Sequence, residues 1–401
     1  MKVLFIYTSS GKYSILGCQK FLSTGAYLPP LGMLYLGKML EINGHAVEII
    51  DYSAEGININ SLKGAVLSCD AVGMTIYSSQ KELNNSVMLS NLVKKIDPHI
   101  PLLIGGPHCS LLPEQSLQDH HADVCVKGPG EFVINPIVES LEGKRKLSTI
   151  SGICYREGNR IRHSKPDNMI RDLDKIPFPA RHLVEKYEYG YVLRTKMTKG
   201  KLASILTSRG CPHYCRFCEL HNYIPLYQVR SISNITAEIE EIINEGYKTL
   251  AFVDDNFLAQ KEKVEKIMDF IIQKRADIKL WVINARADSA EKNLYEKMRD
   301  AGVEWINFGI ESGNQDVLNF YNKKLTLSQI RETVNLSKEM GFFVGANFIL
   351  GAPIETKKHI ENTIKFAKSI PLNSAIFYIL GYSYGTQLWE DAVNERKNTT
   401  K

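Results

Sequence analysis

The sequence predicts an α/β protein of two successive parallel-sheet units: a Rossmann-like N-terminal domain, then a partial (β/α)6 barrel. Three observations carry this. Apolar runs of strand length alternate with stretches of helical apolar spacing along most of the chain. A proline-punctuated stretch, Asp172-Leu173-Asp174-Lys175-Ile176-Pro177-Phe178-Pro179, breaks the alternation near the middle. Beyond it the rhythm restarts and runs through six more strand–helix units. The 401 residues are enough for two or three domains, and 44% hydrophobic with 23% charged residues is the composition of an ordinary soluble globular protein.

Composition also excludes some classes. No apolar run reaches the roughly 18 residues that span a bilayer. The opening run Met1–Tyr7 is too short for a signal-peptide core, so the cytoplasm is the expected compartment. Eight cysteines there argue for metal chemistry rather than disulfides. Five of them, Cys18, Cys69, Cys109, Cys125 and Cys154, are scattered, mostly in apolar runs, and read as packing residues. The net charge of +5 is modest, with basic residues gathered between Arg194 and Arg230. No RNA-binding motif accompanies them, so a solvated or cofactor-facing patch is expected and a nucleic-acid partner is not.

Residues 1–145 form the first predicted domain. Strands are expected at Val3–Tyr7, Ala46–Ile50, Ala71–Ile76, Leu102–Ile104 and Val124–Val126, with helices over Pro30–Asn43 and Glu82–Ile96. Asn43-Gly44-His45 supplies a glycine helix stop. This βαβ order implies a parallel sheet with ligands at the carboxyl ends of its strands. Those ends are small or polar: Thr8-Ser9-Ser10-Gly11, Tyr77-Ser78-Ser79 and Gly105-Gly106-Pro107-His108. Residues 146–195 read as a connector, with a hairpin over Gly152–Ser164 turning at Glu157-Gly158-Asn159, then the proline-rich linker.

Residues 196–390 form the predicted barrel and residues 391–401 a polar tail. Its strands are Leu202–Leu206, Thr249–Val253, Lys279–Ile283, Trp305–Ile310, Phe343–Ile349 and Ala375–Leu380. The chemistry of such a barrel lies where strands end. After the first strand comes Thr207-Ser208-Arg209-Gly210-Cys211-Pro212-His213-Tyr214-Cys215-Arg216-Phe217-Cys218. Three cysteines at C-x3-C-x2-C spacing are one ligand short of a closed tetrahedral zinc site or a fully protein-ligated cubane cluster. A zinc knuckle completed by His213 or His221, or three reduced thiols, are the plainer readings. Lys201, Arg209, Arg216 and Arg230 are expected to lower the thiol pKa values. After the second strand, Asp254-Asp255-Asn256 suits a divalent metal, an ammonium group or a helix cap. After the third, Arg286 suits a carboxylate ligand or a surface ion pair. The fourth ends in Gly309-Ile310-Glu311-Ser312-Gly313, where a carboxylate can accept from two hydroxyls. The fifth ends in Asn347-Phe348-Ile349-Leu350-Gly351-Ala352-Pro353, with Glu355-Thr356 beyond as a ligand segment or a cap. Tyr382 and Tyr384 follow the sixth, as cavity or rim aromatics.

The cysteine motif, with Phe217 before its third cysteine, resembles the signature of radical S-adenosylmethionine (SAM) enzymes. The resemblance implies that Cys211, Cys215 and Cys218 hold a [4Fe–4S] cluster whose open iron binds SAM. It further implies that Phe217, Asp254, Asp255, Arg286, Glu311, Ser312 and Ile349 contact SAM. The segments Leu28-Pro29-Pro30-Leu31-Gly32, Asn43–Val47, Gly105–Ser110 and Lys127-Gly128-Pro129-Gly130-Glu131 resemble the cobalamin-binding domain that precedes the barrel in many such enzymes. The expected fold is thus a cobalamin-binding-type Rossmann-like domain followed by a radical SAM barrel. Cobalamin contacts are expected from Ser9, Ser10, Tyr77, Ser78, Gly105, Gly106, His108 and Glu131. No D-x-H-x-x-G segment is present, so a histidine ligand to cobalt is not expected.

The resemblance implies reductive cleavage of SAM to functionalise an unactivated carbon, foremost by cobalamin-dependent methyl transfer. Radical cyclisation or oxidation without net methylation is an alternative, as is a non-catalytic Fe–S regulatory or electron-transfer module. The expected partners are a small-molecule, lipid or peptide substrate, with Tyr382 and Tyr384 facing it, and an external flavodoxin- or ferredoxin-like electron donor. No membrane span is expected.

Overall fold

A computed structural model describes residues 1–7, 27–165, 170–192 and 195–399. The chain divides into two compact units, Met1–Thr198 and Lys199–Lys401. Ser9, Ser10, Cys18 and Arg194 lie outside the described residues.

In the first unit, strands β1 (Lys2–Tyr7), β2 (Ala46–Asp51), β3 (Ala71–Thr75), β4 (Leu102–Gly105) and β5 (Val124–Val126) pair in parallel. Strands β6 (Ile153–Glu157) and β7 (Arg160–His163) add an antiparallel edge, giving the order β2-β1-β3-β4-β5-β6-β7. The sequence places this hairpin in a connector, whereas the structure builds it into the first sheet. Ile153 and Cys154 are fully buried, and Cys154 pairs with Cys125 on β5, so the hairpin's apolar residues cover the sheet's edge. Both are packing residues, as expected, and Cys109 is buried beside them. Strand order reverses between β1 and β3, which opens a crevice at their carboxyl ends. Tyr7 and Tyr77 meet there edge to face, with ring centroids 6.2 Å apart.

The short ribbon of β8 (Tyr191–Val192) and β9 (Thr195–Lys196) ends the first unit. The second unit contains β10 (Leu202–Ile205), β13 (Thr249–Phe252), β14 (Lys279–Arg286), β15 (Val303–Glu311), β16 (Phe343–Leu350) and β17 (Ser374–Ile379). They form a six-stranded parallel sheet in sequence order, open between β10 and β17. A second ribbon, β11 (Ser208–Arg209) with β12 (Gln228–Val229), lies in the loop after β10. Amphipathic helices such as Ile232–Asn244, Lys261–Gln273 and Leu327–Glu339 cover the outer face through Ile239, Ile267 and Ile330, all fully buried. Near the amino ends of the strands Trp281, Trp305 and Phe343 stack across the sheet, with centroids 5.1 and 4.6 Å apart. Residues 391–399 of the predicted polar tail belong to a helix, Gln387–Thr399. Its Leu388 is 1% exposed in a cluster with Val317 and Tyr321, and Arg216 pairs with Asp391. Of these two anchors, Asp391 belongs to the stretch that composition reads as a polar tail.

Gly106 has φ +105°, and a Cβ there would lie 2.8 Å from the Ile76 carbonyl oxygen. Gly106→Ala is expected to cost about 1–3 kcal/mol through strain at the end of β4. A lowered thermal midpoint of the full chain checks this, and an unchanged midpoint refutes it.

Candidate active site

The cysteine loop is tied down at both ends. Antiparallel pairing of β11 with β12 closes it, and Arg230 anchors the exit by donating to the Leu206 carbonyl and to the buried Glu238. Gly210, φ +82°, leads into Cys211; a Cβ there would stand 2.5 Å from the Leu226 carbonyl oxygen, so only glycine fits. Farther along, Arg216 N–H donates to the Tyr321 carbonyl (3.0 Å) and Asn322 Nδ2 to that of Tyr214 (2.7 Å). His221 stacks on Tyr214 at 4.0 Å and its Nε2 meets the His213 carbonyl at 2.9 Å, so hydrogen bonding and stacking already engage it.

Burial pushes all three thiols up, that of Cys218 to about 11. The cations that counter this at Cys215 are Lys323 and Arg286, with Arg286 also acting at Cys211. The basic residues nearest in sequence do other work: Arg216 pairs with Asp391, Arg230 with Glu238, and Lys201 sits over Tyr247. Among the described residues, no three His, Cys, Asp or Glu converge as ligands of one metal ion. Three thiols beside one cavity suit a polynuclear cluster, where each thiolate takes its own iron.

A cavity of about 530 Å³ opens at the carboxyl ends of the barrel strands, with Cys211, Cys215, Cys218 and Phe217 on one side. Asp255, Arg286, Glu311, Lys323 and Ile349 also line it. Asp255 accepts from the Gly210 N–H at 2.9 Å, and burial pushes its carboxyl up. Arg286 is held by Asp288 (3.1 Å) and the Lys323 carbonyl (2.7 Å), while its buried Nη1 has no hydrogen-bond partner among the described residues. Glu311 adopts φ +70° and pairs with Lys323 Nζ at 2.7 Å. A non-glycine residue in this conformation is a local strain of the kind that gathers at functional sites. Gly309 leaves room for the pair, because a Cβ there would lie 2.6 Å from Glu311 Oε1.

Four residues expected in contact with ligand do not line this cavity. Asp254, fully buried, accepts from Thr207 N (3.1 Å), Thr207 Oγ1, Ser208 Oγ and Lys263 (3.4 Å). Its oxygens are saturated by the protein, so the first carboxylate of the pair anchors the loop and only the second reaches the cavity. Ser312 is also fully buried, bonded to Thr363 and Asn314 beneath the Glu311 turn. Tyr382 and Tyr384 are 43% and 44% exposed, the latter packed on Trp389. Tyr378, inside β17, is the tyrosine of this region that lines the cavity. Glu355 accepts from the Gly351 and Ala352 N–H groups, and Thr356 caps the helix Lys357–Ser369. Sequence reading missed Lys323, Asn307 and Asn347. Lys323 lies in an irregular segment with no motif around it; the two asparagines occupy inward positions of strands, which period-2 alternation could have flagged.

In the first unit, Tyr77 and Ser78 follow β3, Gly105 and Gly106 end β4, and Glu131 follows β5, all on the carboxyl edge of the sheet. His108 is 8% exposed, and its N–H donates to the Ile76 carbonyl (3.2 Å). Ser110 Oγ accepts from the Gly128 N–H at 2.8 Å, joining the loops after β4 and β5.

Two family models match the chain: the B12 binding domain over residues 21–135 and the radical SAM superfamily over residues 205–367. The uncharacterized methyltransferase PH0819 of Pyrococcus horikoshii is 30% identical over 383 residues, covering 93% of this chain and 82% of that protein. The anaerobic magnesium-protoporphyrin IX monomethyl ester cyclase of Rubrivivax gelatinosus is 27% identical, covering 92% of this chain and 66% of that one. Among solved structures, the radical SAM methyltransferase TsrM from Kitasatospora setae matches with a TM-score of 0.75 at 18% identity, covering 98% and 75% of the two chains. That likeness establishes the shared fold.

The two aspartates should separate by substitution. Asp254→Asn is expected to cost about 3 kcal/mol or more by breaking a buried pair, read as a lower thermal midpoint. Asp255→Asn should leave the midpoint within a few degrees and weaken SAM binding, read by titration of the cluster-loaded protein. The reverse pattern would return Asp254 to the ligand set.

Proposed function

The chain belongs to the radical SAM enzymes that carry an N-terminal cobalamin-binding domain, and we propose that it transfers a methyl group to an unactivated carbon. The observation that carries this is one cavity in which three half-buried cysteines share the wall with Asp255, Arg286, Lys323 and Glu311. The set offers an acid for the ammonium, a cation for the carboxylate and an acceptor for the ribose hydroxyls of SAM. Asp255 suits the ammonium, Arg286 the carboxylate, and Glu311, held by Lys323, the ribose hydroxyls. Phe217 and Ile349 supply apolar surface beside them. A reduced cluster, when bound, supplies the electron that cleaves SAM, and cobalamin supplies a methyl carrier.

The protein's share is to position and enclose. Cys211, Cys215 and Cys218 fix the cluster against a loop held by Asp254, Asp255 and Arg230. In the first unit Tyr77, Ser78, Gly105, Gly106, His108 and Glu131, with Ser9 and Ser10, are the proposed cobalamin contacts. An external flavodoxin- or ferredoxin-like donor and a cytoplasmic setting complete this reading; no described helix is long and apolar enough to cross a membrane. The relative of Pyrococcus horikoshii, a methyltransferase by name, favours methyl transfer. The cyclase relative keeps ring closure without net methylation as the second reading.

Anaerobic reconstitution with iron, sulfide and cobalamin, then chromatography of SAM products under strong reductant, tests this. 5′-Deoxyadenosine with S-adenosylhomocysteine, the latter only with cobalamin, is the expected result. 5′-Deoxyadenosine alone, indifferent to cobalamin, would favour the cyclase reading. Alanine at Cys211, Cys215 or Cys218 is expected to abolish both products together with the visible absorbance of the cluster.

A further inference from the structure

The barrel sheet ends in two unlike edges. β10 is buried along its whole length, whereas β17 is exposed from Ala375 onward, Ile379 at 82%. An open edge offers N–H and C=O groups to any passing strand, and proteins usually blunt it with charge, proline or a cover. The edges of the first sheet follow that practice: β2 carries Glu48, and β7 carries Arg160 and Arg162. β17 reads Ser-Ala-Ile-Phe-Tyr-Ile, without charge or proline, and among the described residues it pairs with β16 alone.

The two faces of this strand lead to different places. Ile376 and Tyr378 register with Asn347 and Ile349 of β16, which line the active cavity, and Tyr378 and Ile379 line it themselves. Phe377 alternates to the other face, where it stacks on Phe348 at 5.0 Å. There it borders a groove of about 350 Å³ shared with Ile364, Ala367 and Ile370. A strand laid against β17 therefore sets alternate side chains toward the cavity and toward this groove. The pairing surface is small. Six residues at about 3.3 Å each, about 10 Å from face to face, give roughly 200 Å². A stable dimer buries roughly 800 Å² per partner, so this edge alone is too small to hold a second copy. A peptide that also fills the adjoining cavity and groove is not limited in that way.

We propose that the open edge of β17 holds the substrate as an added strand, and that the substrate is an extended peptide segment with apolar residues at alternate positions. One set of side chains enters the groove beside Phe377, and the residue to be modified enters the cavity past Tyr378. This rests on the radical SAM reading above and names the substrate class for that cavity. Main-chain bonding to the edge fixes the register of the peptide, and register decides which residue reaches the cysteine side.

The probe is a fluorescein-labelled peptide, Ser-Thr-Val-Tyr-Val-Thr-Ser, titrated by anisotropy into cluster-loaded protein with SAM present and no reductant. Two isomers keep its side chains but carry N-methyl groups on alternate residues, each blocking one edge of the peptide strand. One isomer is expected to bind at least about tenfold more weakly than the parent peptide, because several main-chain bonds are lost together. The other should bind as the parent does. Ile376→Lys, which puts a charge on the edge, should weaken the parent peptide by a similar factor. No binding of the parent peptide up to about 1 mM would overturn the proposal. So would isomers that bind alike, since strand pairing uses one edge and apolar adhesion uses neither. A dimer at micromolar concentration by sedimentation, dispersed by Ile376→Lys, would also overturn it by giving the edge to a second copy. Absence of 5′-deoxyadenosine from the reconstituted, reduced protein would instead sink the radical SAM reading, while anisotropy decides strand addition separately.

Discussion

Everything at the site depends on how the loop after β10 is held. Three cysteines and a glycine with φ +82° make a poor self-supporting segment, and three thiolates repel one another. The chain answers with the adjacent acids at the end of β13. Asp254 faces inward, gathering Thr207, Ser208 and Lys263, while Asp255 takes the Gly210 N–H directly before Cys211. Lys263 balances the charge of Asp254 inside the protein, the requirement for any buried carboxylate. The loop is thereby registered against the second strand of the barrel before any ligand arrives. From the other side the segment after β15 fixes it, through the Tyr321 carbonyl and Asn322.

Much of this was legible in the sequence because strands and their ends are local properties. All six barrel strands begin and end within a few residues of where apolar runs place them, and the five parallel strands of the first sheet do as well. The cysteines, Asp255, Arg286, Glu311 and Ile349 were legible because barrel geometry brings strand ends to one cavity whatever their separation in the chain. What failed was direction. Two neighbouring aspartates are chemically identical in sequence, yet their Cβ vectors diverge, so one meets Lys263 and the other the cavity. Charge misled similarly: Arg216 and Arg230 lie close to the cysteines in sequence but spend their guanidinium groups on Asp391 and Glu238. Of the cations that reach the thiols, Arg286 ends β14 and Lys323 follows the helix Gln315–Phe320. Lys323 stands in a turn where no periodicity marks it.

Along the cavity the barrel changes character in steps of two residues. Trp305, Asn307 and Gly309 occupy successive inward positions of β15, then Glu311 follows past a register shift. Phe343, Gly345 and Asn347 do the same on β16. Pleat periodicity brings Trp305, Asn307 and Gly309 inward, and the irregularity after Gly309 turns Glu311 back over it, where it meets Lys323. The glycines are what allow polar side chains inside a barrel this narrow, since each clears the space its neighbour occupies.

Some buried polar groups without partners lie near the cavity, others elsewhere in both units. Arg286 Nη1, Asn347 Oδ1, Asn256 Oδ1 and Glu355 Oε1 are buried without partners among the described residues, and all belong to the carboxyl-end loops or the inner strands around the cavity. With the left-handed backbone of Glu311, each costs on the order of 1–3 kcal/mol in the free protein. Natural sequences seldom carry such a cluster where packing alone is at stake, because replacing any member by an apolar residue would relieve it. The cost falls instead on the ligand-free state, so that a ligand which fills these valences is bound against a prearranged set of dipoles and charges rather than against water. That is the condition under which a cavity can hold a reactive group in one orientation, since its polar walls need not reorganise when charge shifts within it.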